Sequence, residues 1–439
     1  MIINILWDPS VQNAPAGFQT DVASVVSFFQ GHFTDDVTFN LHVGYGDVNG
    51  TTLNAGNLGQ SAFFAHKYSY ADYKSALQSH ATTVDDAAAV ASLPAQSPFP
   101  SGSNFWVMDP LAAALGLLST DTQIDVSVGF SATLPFDYTR ADGITVGQYD
   151  FIGSVAHELT EVMGRVLGAG ENVLGDATVD YLPLDLFHYQ APGGVISRDL
   201  NRGGYFSIDG GSTALADFNP LSTGDAGDWG GSTTNDAFLA SSNSGVYNDI
   251  TPWDLRVMDV LGFHGYPDDY GEDVNFAWNI AVGGSVTGNI ELPADADWFR
   301  VQLTEGVHYA IKLASGNLPN PFLGVWDSSS HLVASDNDSG PGLDAFLTFT
   351  PSATRYYYLA ASSAVGGDTG SYNLTVSIAP KIFTGDTLPV EEVKDVAIAH
   401  LPAFLGGDHV LTMMKQSASI LPALVEPHND HGLHDWFVT

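Results

Sequence analysis

His157, Glu158 and Glu161, close together in one apolar stretch, carry the side chains with the widest chemical scope in this sequence. They lie in Phe151-Ile152-Gly153-Ser154-Val155-Ala156-His157-Glu158-Leu159-Thr160-Glu161-Val162-Met163-Gly164-Arg165. Ile152, Val155, Ala156, Leu159, Val162, Met163 and Val166 fall at helical spacing, so the stretch predicts a helix packed against a core. His157 and Glu161, four residues apart, share one face of that helix. An imidazole and a carboxylate so placed can grip a single metal ion, and zinc accepts both ligand types. Glu158 points about 100° round the helix, where a carboxylate can act as general base on a metal-activated water. The competing reading is a solvated helix face. Against it, the charges interrupt a strongly apolar helix, where carboxylates without partners are costly to bury.

The usual zincin pattern is His-Glu-x-x-His, and here Glu161 stands at the second ligand position. Gly164 falls where metzincins carry a glycine that turns the chain, and Leu167 stands where they carry a third His. The run Ala156-His157-Glu158-Leu159-Thr160-Glu161-Val162-Met163-Gly164-Arg165 resembles the signature of a bacterial family of predicted zinc metalloproteases. The resemblance extends to Phe136-Asp137-Tyr138, Asp142-Gly143-Ile144, Asp185-Leu186-Phe187, Tyr205 to Gly211, Gly227-Asp228-Trp229 and Asp254 to Gly262. It implies an α+β zincin-like catalytic domain over residues 1–266, with zinc held by His157 and Glu161 and with Glu158 as catalytic base. The expected third ligand lies in Leu184-Asp185-Leu186-Phe187-His188-Tyr189. A strand there puts Asp185 and His188 on opposite faces, so only one faces the metal. Asp185 is favoured because it belongs to the family-like stretch; His188 is chemically the better zinc ligand, and a structural hydrogen bond is the competing role for Asp185.

Elements must position these groups. Pro15 to Gln30 reads as an amphipathic helix through Phe18, Val22, Val25, Val26 and Phe29, with Pro15 in its first turn. Val37 to Val43 alternates as a half-buried strand, and so does Ile124 to Phe130. Ala71 to Ser79 and Pro110 to Leu118 read as helices. Tyr205 to Gly211 reads as a strand entering a hairpin turn. Thr251 to Leu261 reads as a closing helix capped by Thr251 and stopped by Gly262.

From residue 267 to 379 short strands alternate with turn signals, predicting an all-β sandwich. Gly283 to Ile290, Asp295-Ala296-Asp297-Trp298-Phe299, Ser335 to Gly340, Tyr356 to Leu359 and Gly370-Ser371-Tyr372 resemble the bacterial pre-peptidase C-terminal domain. That resemblance implies a jelly-roll-like fold accompanying secreted peptidases. Asp295, Asp297, Asp336 and Asp338 offer the hard oxygen ligands calcium prefers; acidic turn residues chosen for turn geometry are the competing reading. Residues 380–439 read as a tail whose end, Asp435-Trp436-Phe437-Val438-Thr439, resembles the signal read by type I exporters. His428, His431 and His434 in it read as polar tail rather than a metal site.

The chain has 439 residues, 13 Lys+Arg against 50 Asp+Glu and no cysteine, a formal net charge of −37. Its length calls for more than one core. The negative field opposes nucleic-acid or anionic-membrane partners, and the lack of cysteine excludes disulfides and thiolate zinc sites. The N-terminus has no secretory n- and h-regions, and no apolar run is long enough to span a membrane. The expectation is a secreted, extracellular zinc endopeptidase, exported by type I machinery and acting on protein or peptide. The alternative is a secreted binding or matrix protein with a structural metal.

Overall fold

The computed structural model describes residues 1–379 apart from 102, 120–121, 169–179, 195, 197–202, 221–223, 231–234 and 266–267. The export signal and the tail histidines lie outside the described residues. Two separate hydrophobic cores form, one drawing on residues from Ile3 to Phe263 and the other on residues from Ile280 to Val376.

The first core is built on a four-stranded sheet. Ile2–Trp7, Thr38–Tyr45 and Asp125–Phe130 run parallel, and Gly59–Ala62 pairs antiparallel at the edge. Alternation fixes which face is buried: Phe39, Leu41 and Val43 on one strand and Val126, Val128 and Phe130 on another are almost wholly covered. The helix Phe18–His32 lays Phe18, Val22, Val25, Val26 and Phe29 into this core. It starts after Gly17, at φ 100°, and not at Pro15. A Cβ at Gly17 would meet that of Tyr138 at 2.7 Å, so the chain needs glycine there twice over.

The motif helix spans Phe151–Met163, and every one of its residues is buried. Asp150 caps its start, and Gly164, at φ 129°, ends it with its N–H donating to the Glu161 carbonyl. Phe151 anchors the first turn among Phe18, Phe130, Phe136 and Tyr138, at ring-centroid distances of 4.9, 5.1, 5.1 and 4.8 Å. Burying such a side chain contributes roughly 1.5–3 kcal/mol. The closing helix, Pro252–Leu261, has the expected Thr251 cap and Gly262 stop, and Asp254 completes a capping box with Thr251.

Two further expectations need correction. Pro110 to Leu118 is helical only over Asp109–Ala114. The segment around Asp185 is a 3-10 helix, Pro183–Phe187, with only His188–Tyr189 extended. Pro183 at the start of that helix favours a turn over a strand.

The second core fills a β-sandwich. One sheet orders Trp278–Asn279, Ala296–Leu303, Arg355–Ser363, Pro321–Trp326 and Leu332–Asp336. The other orders Ser285–Ile290, Gly370–Ile378, Tyr309–Ser315 and Ala345–Phe349. Phe299, Val301, Ile311, Leu313, Leu323, Val325, Leu359 and Leu374 supply its interior. Among the described residues no helix is long and apolar enough to cross a membrane.

Candidate functional site

The fully buried motif helix forces His157, Glu158 and Glu161 into the interior, at 5%, 2% and 4% exposure. Ligand atoms of all three lie within 4.8 Å of one another. His157 Nδ1–H donates to the Ala237 carbonyl at 2.8 Å, which leaves Nε2 facing the carboxylates. Nε2 stands 3.4 Å from Glu161 Oε1 and 3.5 Å from Asp228 Oδ1. Glu161 is steadied from the edge strand, where the Ser61 hydroxyl donates to its Oε2 at 2.8 Å. Glu161, Asp225 and Asp228 form a second convergent group that shares Glu161 with the first.

Arg165 locks the back of the site. Its Nη1 donates to Asp228 Oδ1 at 2.6 Å, its Nε to Thr160 Oγ1 and its Nη2 to the His157 carbonyl, and its guanidinium lies over the Phe238 ring. The electrostatics are strongly perturbed. Burial pushes the Glu158 carboxyl well above its usual range, and the neighbouring Glu161 adds to this. Burial disfavours charge on His157 too, but Asp228 and Glu161 outweigh it and push the imidazole up to about 10. Glu161 feels the same burial, yet His157, Arg165 and Ser61 hold it down to about 2.

Among the described residues His157 Nε2, Glu158 Oε2, Glu161 Oε1 and Asp228 Oδ2 are buried without a hydrogen-bond partner. Buried polar atoms are rarely left so. A tetrahedral ion about 2.0–2.1 Å from each ligand needs ligand atoms about 3.3–3.4 Å apart, close to the 3.4 Å between His157 Nε2 and Glu161 Oε1. The donor set therefore fits a divalent cation. A cleft of about 580 Å³, lined by Gly59, Gln60, Ser61, Glu158, Glu161 and Asp225 among others, opens onto it.

The structure does not bring Asp185 to this cluster. Its carboxylate accepts the backbone N–H groups of Leu182 at 2.7 Å and Gly168 at 3.0 Å. His188 is also elsewhere: its Nε2 is 2.5 Å from the Gly203 carbonyl, and burial lowers its pKa. Asp225 and Asp228 are the further carboxylates that approach Glu161, and Asp228 also approaches His157. The Gly-Asp-Ala-Gly-Asp-Trp run that carries them was the available signal, since glycines let an acidic loop approach a helix closely.

The sandwich acids divide. Asp297 and Asp295 join Asp268, Asp269 and Glu291: the ligand atoms of Asp268, Asp269, Glu291 and Asp297 lie within 4.8 Å of one another, and Asp295 raises the pKa of Glu291 and Asp297 alike. Among the described residues Asp269 Oδ1, Glu291 Oε2, Asp295 Oδ1 and Asp297 Oδ1 are buried without partners. Asp336 instead accepts from Ser339 and from the Phe346 N–H, closing a turn, and neither it nor Asp338 joins a metal-competent group among the described residues.

No protein-family model matches the chain, and no curated protein sequence matches it. Among solved structures, the pre-peptidase C-terminal domain of a collagenase from Bacillus anthracis is similar over 26% of this chain and 99% of its own length, at 16% identity and TM-score 0.21. CorA, a surface-associated copper-binding protein of Methylomicrobium album BG8, covers 24% of this chain and 98% of itself, at 11% identity and TM-score 0.20. The periplasmic g-type lysozyme inhibitor PliG of Aeromonas hydrophila covers 24% and 97%, at 14% identity and TM-score 0.19. The likeness is one of β-rich fold over about a quarter of the chain.

Proposed function

We propose that the chain is a metal-dependent endopeptidase of zincin-like build, with His157, Glu161 and Asp228 holding a zinc-class divalent ion and Glu158 as the proton-transferring group. The observation that carries this reading is the convergence of His157, Glu158 and Glu161, whose Nε2, Oε2 and Oε1 are buried without partners among the described residues, with Glu158 and Glu161 lining an open cleft and Asp228 Oδ1 3.5 Å from the imidazole. A divalent ion held there supplies a Lewis acid that polarises a peptide carbonyl. The positive charge of a bound ion would oppose the burial that raises the Glu158 carboxyl, and in its ionised form Glu158 would take the proton of the attacking water and return it to the leaving amine. The edge strand Gly59–Ala62 borders the cleft and offers backbone groups with which an extended peptide can pair. The cleft also favours catalysis over a structural clip, because structural sites are closed on all sides.

We infer in addition that the group of Asp268, Asp269, Glu291, Asp295 and Asp297 holds calcium, which prefers several carboxylate oxygens. Export to the extracellular space, expected from the terminal motif, belongs to the same reading. The test of the peptidase is metal content measured alongside gelatin and casein hydrolysis, with and without chelator, for wild type and Glu158→Gln. Wild type should lose activity with its metal, and Glu158→Gln should keep the metal while losing activity about a hundredfold or more. A metal-replete Glu158→Gln at wild-type activity rules the mechanism out.

A further inference from the structure

An appended domain ordinarily meets its neighbour through a modest polar interface and moves against it. This interface is different in kind, and it leads to the metal-site helix. Arg300, on the sandwich strand Ala296–Leu303, is 3% exposed. It makes a two-pronged contact with Asp249, which belongs to the first core's side: Nη1 donates to Oδ1 at 2.9 Å and Nη2 to Oδ2. Its guanidinium packs 3.7 Å from the centre of the Tyr247 ring. The same Asp249 Oδ1 lies 3.6 Å from Nη1 of Arg140, which is 2% exposed. Arg140 in turn grips Asp150, with Nε to Oδ1 at 3.0 Å and Nη2 to Oδ2 at 2.5 Å. Asp150 caps the motif helix, its Oδ1 accepting the Gly153 N–H. From the sandwich strand Arg355–Ser363, Tyr358 donates to the carbonyls of Arg140 and Ala141, holding the arginine's backbone as well.

We propose that the β-sandwich is a working part of the metal-binding unit, with Arg300 a positioning residue that sets the N-terminus of the motif helix through Asp249, Arg140 and Asp150. Charge balance supports this. Two buried guanidiniums alternate with two carboxylates, and removing one member leaves its neighbour buried and uncompensated, which is the costly case. His157 lies only two turns from the cap, so a shift at Asp150 is carried along a rigid, fully buried helix to the ligands. The proposal rests on the metal reading of His157 and Glu161, but its test is separable from that reading.

The test uses the full chain and four variants: Arg300→Met, Arg300→Lys, Tyr358→Phe and, as a control, Leu359→Ala. Leu359 is fully buried in the sandwich core and contributes no polar group to the network. Readouts are hydrogen exchange of the Gly153 amide, which reports the cap directly, and affinity for zinc and for Co²⁺ by chelator competition. Arg300→Met is expected to speed Gly153 exchange and weaken metal binding about tenfold or more, the size of supporting-residue effects at metal sites. Arg300→Lys, which keeps the charge but loses the fork, should recover part of both. Leu359→Ala should lose thermal stability while leaving both readouts near wild type. Unchanged exchange and affinity in Arg300→Met, or equal losses in Leu359→Ala, overturn the proposal. If Arg300→Met does not fold, Arg300→Lys and Tyr358→Phe decide by the same criteria. If wild type binds neither metal, the reading of the site fails, and Gly153 exchange still decides the positioning role.

Discussion

Adding one methyl group at Gly59 tests whether Glu158 is held where its chemistry requires. Gly59 lies in the edge strand, paired with Phe130, and has no left-handed backbone angle that alanine would strain. Space is the difficulty. A Cβ there would sit 2.4 Å from Glu158 Oε1, 2.6 Å from its Cγ and 2.8 Å from its Cδ, against about 3.4 Å for an ordinary contact. The carboxylate must therefore move by about 1 Å, away from the position it holds at 2% exposure at the edge of the cleft. A misplacement of about 1 Å costs roughly a hundredfold in rate, or about 2.7 kcal/mol of transition-state stabilisation. Overpacking should lower global stability by about 1–3 kcal/mol, leaving the chain folded. The assay is gelatin hydrolysis at matched metal content for wild type, Gly59→Ala, Glu158→Gln and the double variant. If the methyl acts only by displacing Glu158, the double variant is no worse than Glu158→Gln alone. Wild-type activity in Gly59→Ala, or losses that simply add in the double variant, would refute the reasoning.

His157→Ala and Glu161→Ala are each expected to lower zinc stoichiometry, and Asp228→Asn to weaken binding while keeping an oxygen for Arg165 to meet. Asp185→Asn should leave zinc content unchanged yet cost about 1–3 kcal/mol in denaturant titration, since its carboxylate serves two buried N–H groups. Calcium should raise the unfolding temperature, by the equivalent of about 2.7 kcal/mol at a hundred times its dissociation constant. Asp297→Asn should abolish that shift; a calcium-dependent rise of wild-type size in the variant removes the site. Asp21 governs a pH dependence. Burial pushes its carboxyl up to about 7, with Arg140 pulling the other way, from 3.8. The folded state thus keeps a proton that the unfolded chain gives up near pH 3.8, so stability falls as pH rises from about 4 to about 7 and then levels off. Asp21→Asn should match wild type at pH 4 and exceed it at pH 8, by on the order of 1–3 kcal/mol. An equal difference at both pH values, by urea unfolding, would contradict this.

The motif helix was legible because its information is local: apolar spacing, an Asp before it, a Gly after it and the four-residue step from His157 to Glu161 need no knowledge of the rest of the chain. Local signals also existed where they went unread. Thr83 and Asp86 form a capping box at the start of the helix Val84–Ser92, and the strand Ile2–Trp7 is nearly continuous apolar sequence, as a parallel strand often is. Asp185 shows the opposite failure. Its neighbours alternate well enough to suggest a strand, but Pro183 starts a 3-10 turn whose third residue, Asp185, is bound to the backbone.

What sequence could not give is which distant residues meet, because that depends on how the loops fold over the sheet. Asp228 reaches His157 from a glycine-rich loop far along the chain, and Asp268 reaches Asp297 from the linker between the two cores. The overall charge hid both. With 50 Asp+Glu in the chain, no single acid stands out, and surface solvation accounts for most of them without further cause. The informative acids are those whose oxygens are buried and unpaired, since desolvating a carboxylate is tolerated only where a cation or a donor compensates it. Asp150 and Asp249 have arginines for that purpose, Asp185 has backbone N–H groups, and Asp336 has a turn. Glu161, Asp228 and Asp297 are each compensated at one oxygen, by Ser61, Arg165 and Tyr372, while Glu161 Oε1, Asp228 Oδ2 and Asp297 Oδ1 are left buried without a partner among the described residues, and it is these second oxygens that the proposed cations would meet.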